Sequence, residues 1–107
     1  MKSHINHKHL NWIEGKVAGF NGKDILNVPN GSIKIVSVSP NSEYPKHIHP
    51  DKTEFIYVIE GKVICTIDEC QIEVTKGEFA IFPQNAKHSI MNKEVQEALL
   101  IVGGIKV

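Results

Sequence analysis

Apolar and polar residues along this chain come in short runs rather than at a sustained helical spacing. IKIVSVS (33–39), EFIYVIE (54–60), KVICTI (62–67), QIEVT (71–75), EFAIFP (78–83), HSIMN (88–92) and EALLIVG (97–103) are short, closely spaced and rich in β-branched and aromatic side chains. These features predict an all-β barrel or sandwich. Over 93–102, Val95, Leu99 and Val102 fit a helical spacing, but ALLIV is a continuous apolar run too short for a helix. It reads as a terminal strand.

The punctuation between the runs agrees. Asn21-Gly22 and Asn30-Gly31 are dipeptides expected to supply positive φ in tight hairpins, and Gly61 and Gly77 end or begin apolar runs. A turn centred on Asp68 and Glu69 would set Cys70 opposite Ile67 rather than Cys65, so both thiols read as reduced. Cys65, among apolar neighbours, reads as a small buried hydrophobe. Residues 1–10 are polar and unpatterned and are expected to be mobile until something docks them.

Composition narrows the partners. A chain of 107 residues fits one domain and one site. Twelve acidic side chains offset twelve basic ones and neither sign forms a block, which argues against a nucleic acid or an anionic membrane as partner. Every basic residue is Lys, so the planar fork suited to bidentate carboxylate or phosphate recognition is missing. No run approaches the roughly 18 apolar residues of a membrane span, and a cytoplasmic location is the default expectation.

The chemistry concentrates in HIHPDKTEF (47–55). In an extended segment His47 and His49 share a face and can point at one spot. The chain then turns through Pro50, Asp51, Lys52 and Thr53, and Glu54 opens the next strand, where it can return a carboxylate to the histidines. Further on, an apolar strand ends at Pro83 and a turn leads to His88, a fourth candidate ligand. Three imidazoles and one carboxylate suit divalent Fe, Mn, Ni, Zn or Cu, and in an octahedral shell they leave positions open for a substrate. Ile56 and Val58 share the parity of Glu54, and Ile90 that of His88, so these three are expected to wall the pocket and favour a neutral, partly hydrophobic substrate. His4, His7 and His9 read as a solvated tail, and Phe55 and Tyr57 as outward packing. Lys46, Lys52 and Lys87 read as solvated loop charges. Glu97, Glu73, Tyr44 and Tyr57 are the available general bases, with their facing undetermined.

The stretch from Asn41 to Gly61 resembles the first motif of the cupins, G(X)5HXH(X)3,4E(X)6G, and Gly77 to Asn92 resembles the second, G(X)5PXG(X)2H(X)3N. His47, His49, Glu54 and Gly61 match the first, and Gly77, Pro83, His88 and Asn92 match the second. Asn41 and Asn85 stand where glycines are expected, and Asn is the residue other than Gly that best tolerates the left-handed backbone region. The resemblance implies a cupin-type double-stranded β-helix, a jelly-roll-like β-barrel of one domain commonly assembled as a homodimer. Residues 16–107 would form the barrel, and residues 1–15 an arm that is mobile or set at the dimer interface. It further implies one divalent metal and a small-molecule substrate, with dioxygenase-like or isomerase/lyase-like chemistry. The alternative is a non-catalytic small-molecule binding or sensory module.

Overall fold

A computed structural model of the chain describes residues 2–107. Ten strands follow a single 3-10 turn at His7–His9: β1 (Ile13–Glu14), β2 (Phe20–Val28), β3 (Gly31–Val38), β4 (Ser42–His47), β5 (Lys52–Glu60), β6 (Lys62–Ile67), β7 (Cys70–Thr75), β8 (Phe79–Phe82), β9 (His88–Asn92) and β10 (Ala98–Lys106). They form two antiparallel sheets, ordered β1-β2-β3-β10-β5-β8 and β4-β9-β6-β7. The fold is the all-β, jelly-roll-like barrel of the cupin type, and among the described residues no helix is long and apolar enough to cross a membrane.

Alternation along each strand builds the core. Ile56 and Val58 of β5, Val63 and Cys65 of β6, Phe82 of β8, Ile90 of β9 and Leu100 of β10 meet between the sheets with Phe20 and Val38. The run ALLIV is a strand, and its continuity has a cause: β10 lies between β3 and β5 at the centre of its sheet. Leu100 faces the core while Leu99 and Ile101 lie half-buried on the outer face. On that face the Phe55 ring lies where a β-carbon at Gly103 would stand, so any larger residue there would have to displace the ring.

Two strands run through stretches that carry weak strand signals. Asn21-Gly22 is strand, not turn: both lie inside β2, and neither has positive φ. Nor does Asn30-Gly31 use positive φ; Val28 pairs with Gly31 across a two-residue turn whose first position is Pro29, which presets a negative φ. β4 contains Pro45, tolerated because β4 is an edge strand and its register with β9 breaks between Tyr44 and His47. The left-handed residues other than glycine are Asn41 (φ 60°), Asp68 (φ 52°) and Asn85 (φ 69°). Both cupin-motif substitutions thus adopt the backbone that the missing glycines would supply.

Ile67 pairs with Cys70 and Cys65 with Ile72, and both cysteines are free. Cys65 is buried, which pushes its thiol up to about 12, whereas Cys70 is exposed. At the chain's start, Lys23 of β2 donates to the His7 carbonyl at 2.7 Å and its ammonium lies 4.3 Å from the centre of the Trp12 ring, so residues 7–12 rest on the outer face of β2.

Candidate metal centre

Four segments converge at one end of the barrel. His47 ends β4 directly opposite His88, which opens β9; the 48–51 turn carries His49; and Glu54 lies in β5, paired with Phe82. Two contacts tie the first motif to the second. Asn85, in its left-handed conformation, directs its N–H to the His49 carbonyl at 3.1 Å, and the Gln84 side-chain amide donates to the Pro50 carbonyl. The turn that returns Glu54 to the histidines is therefore anchored by the loop that leads into His88.

The ligand atoms of His47, His49, Glu54 and His88 all lie within 4.8 Å of one another, a group that could hold a metal ion. Glu54 Oε1 is 3.1 Å from Nε2 of His49 and 3.1 Å from Nε2 of His88. The other nitrogens have separate partners. His47 Nδ1 donates to the Pro45 carbonyl at 2.8 Å, and His88 Nδ1 to the Ala86 carbonyl at 3.1 Å. These backbone acceptors keep the proton on Nδ1 and leave Nε2 of both rings facing the cluster, the arrangement that orients metal-binding histidines. A neutral His88 then presents a lone pair, not a donor, to Glu54 Oε1. Either an imidazolium or a cation between the two groups must resolve that opposition, so the donor set fits a divalent ion.

His88 is almost fully buried and stacks on Phe82 at 4.3 Å between ring centres, while the other three candidate ligands are half-buried. Burial alone would raise the Glu54 carboxyl. The close side-chain contact with His88 and the positive charge of Lys52 lead the causes that outweigh burial and hold it down to about 2. Burial lowers the His49 imidazole, partly opposed by the Glu54 charge. Glu54 is thus an anion, and His49 is biased towards its neutral, ligating form.

The cluster opens into a cavity of about 530 Å³. Phe82, Ile90, Leu100 and Val102 form apolar wall, whereas Ile56 and Val58 share the inner face with Glu54 but are fully buried in the core. The cavity is more polar than its strand parities imply, because Lys16, Lys34, Lys52 and Glu14 also line it. Tyr44 lines it too, 4.9 Å from His47 between ring centres. The other candidate bases lie elsewhere: Tyr57 packs on Phe79, Glu73 pairs with Lys62, and Glu97 is exposed. Lys46 and Lys87 are exposed, but Lys52 is drawn in, with Nζ 3.4 Å from Glu54 Oε2. The i, i+2 spacing of Lys52 and Glu54 on one strand was the available signal.

Comparison with known proteins agrees with this architecture. The family pattern described as "Cupin domain" matches residues 34–103. The rhicadhesin receptor of Pisum sativum is 31% identical over 83 residues, 73% of this chain and 38% of that protein. Germin-like protein 1-1 of Oryza sativa subsp. japonica is 33% identical over 82 residues, 72% of this chain and 37% of that protein. The chain therefore spans less than two fifths of the length of these curated relatives. Among solved structures, a protein of Thermotoga maritima described as a predicted oxalate decarboxylase superposes with a TM-score of 0.90 at 13% identity, covering 97% of this chain and 99% of that one. From the two motifs, the barrel and the family match together, the chain belongs to the cupin family.

Proposed function

We propose that this chain is a metal-dependent cupin that holds one divalent ion through His47, His49, Glu54 and His88 and acts on a small organic molecule in the adjoining cavity. The observation that carries this reading is the convergence of four ligand atoms, with the outer nitrogens of His47 and His88 tied to backbone carbonyls. A bound divalent ion would supply Lewis-acid chemistry, or dioxygen binding if it is Fe, Ni or Cu. The protein's own part is to fix the ligands and to admit a small molecule past Lys16, Lys34 and Lys52 towards the apolar wall. Of the four general-base candidates Tyr44 alone lines the cavity, which supports it as the group that would hold or pass a proton.

Both dioxygenase-like and isomerase- or lyase-like turnover fit this site, and metal analysis followed by substrate screening tests them. Protein purified without chelators is expected to carry one equivalent of Fe, Mn, Ni, Zn or Cu, and the iron-loaded form is screened for oxygen uptake and product formation with diketones, catechols and uronates. Absence of bound metal would overturn the proposed centre. Metal without turnover on any substrate favours a binding or sensory module.

A homodimer is the assembly we infer. Phe79, Ile81 and Ile105 are 62%, 59% and 56% exposed on the outer face of the larger sheet, next to the half-buried Phe55 and Tyr57. A face this apolar is characteristic of a subunit interface. Sedimentation should show a dimer at micromolar concentration, and Phe79→Glu with Ile81→Lys should convert it to monomer. A monomeric parent chain would sink the inference.

A further inference from the structure

The two oxygens of Glu54 have different surroundings. Oε1 lies 3.1 Å from both His49 and His88, inside the cluster, whereas Oε2 lies 3.4 Å from Lys52 Nζ, outside it. We propose that Lys52 is a positioning residue that holds Oε2 away from the metal, so that Glu54 ligates through one oxygen only and the ion keeps its open positions. This rests on the metal-centre reading and adds to it a residue that is not itself a ligand.

Strand geometry places Lys52 there. It lies two residues before Glu54 on β5, so both side chains project from the same face, and Gly104 of β10 pairs with Glu54. A β-carbon at Gly104 would lie 3.5 Å from Lys52 Cδ and 3.8 Å from Glu54 Cγ. A larger side chain there would take the space through which the lysine stem reaches the carboxylate. Lys34, another basic residue of the wall, is not so placed: it lies 3.8 Å from Asp24, with both side chains more than half exposed. Lys52 has only 29% of its side chain exposed, so its contact with Glu54 is more sheltered than a surface ion pair.

The consequence is a count of open positions. Three imidazoles and a one-oxygen carboxylate leave roughly two positions of an octahedral shell. A Glu54 released from Lys52 is free to swing Oε2 inwards and close one of them. The test is water proton relaxation of the manganese-loaded protein, which reads water bound directly to the ion and needs no substrate. With one equivalent of Mn bound, Lys52→Met should lose about half of that water contribution, and Lys52→Arg, which keeps charge and reach, should retain it. Unchanged relaxation in Lys52→Met, or the same loss in Lys52→Arg, would overturn the role of Lys52. A parent chain that takes up no manganese or any other divalent ion would instead overturn the metal centre, a result separable from the first.

Discussion

His88→Ala is expected to lower affinity for the divalent ion by more than about 100-fold, since even partners of metal ligands are worth 10–100-fold. Of the four candidate ligands, His88 has the least freedom. It is 2% exposed, stacks on Phe82, donates from Nδ1 to Ala86 and stands in register with His47. Its removal leaves Glu54 Oε1 with His49 alone at contact distance and empties the innermost corner of the site. The measurement is metal content after purification without chelators, in a chain whose His4, His7 and His9 are changed to Gln so that the tail cannot report. One full equivalent in that His88→Ala chain, bound as tightly as in its parent, would show that the ion sits elsewhere. Such a result would remove the basis for assigning any role to Lys52 or Tyr44.

The sequence made the four-residue cluster legible because each candidate ligand sits at a short, rigid spacing from a turn. His47 and His49 are two apart, Glu54 is the third residue of β5 after the 48–51 turn, where the sequence placed a turn through Thr53, and His88 follows Pro83 by five. Asn41 and Asn85 were legible for the same local reason, since a left-handed backbone is a property of one residue and its neighbours. Asn21-Gly22 shows the limit of that logic. The dipeptide permits a turn, but pairing of β2 along β3 holds it extended, and the sequence alone does not reveal that pairing. β4 was hidden by Pro45, which is acceptable only on an edge strand at a register break.

Depth was the other quantity that parity could not supply. Alternation puts Ile56 and Val58 on the side of Glu54, but it does not say where the cavity stops and the core begins. That boundary depends on Phe82, Leu100 and Val102, which come from two other strands. Nor does parity register the length of a lysine stem. Lys52 looks like a loop charge in sequence, yet it opens β5 and folds back along the wall past Gly104 to its carboxylate.

Leu100→Ala separates the fold from the site and carries the second large effect. Leu100 is fully buried, pairs with Val36 on one side and Val58 on the other, and also lines the cavity. Truncating a buried Leu to Ala costs about 2–5 kcal/mol, depending on the void left behind. Here the new space adjoins an existing cavity rather than forming a closed one, so the lower half of that range is expected, about 2–3 kcal/mol. For a domain of this size that is a fall in Tm on the order of 10–20 °C. Metal content should stay at one equivalent, because the hydrogen bonds that hold the histidines and their turn do not involve Leu100: His47 and His88 are fixed by backbone carbonyls, and the 48–51 turn is fixed by Asn85 and Gln84. The two variants therefore should fail in opposite ways, His88→Ala losing the ion and Leu100→Ala losing stability. If Leu100→Ala melted with the parent, the core assignment would fall. If it also lost its metal, the ligands would depend on core packing rather than on the local turns.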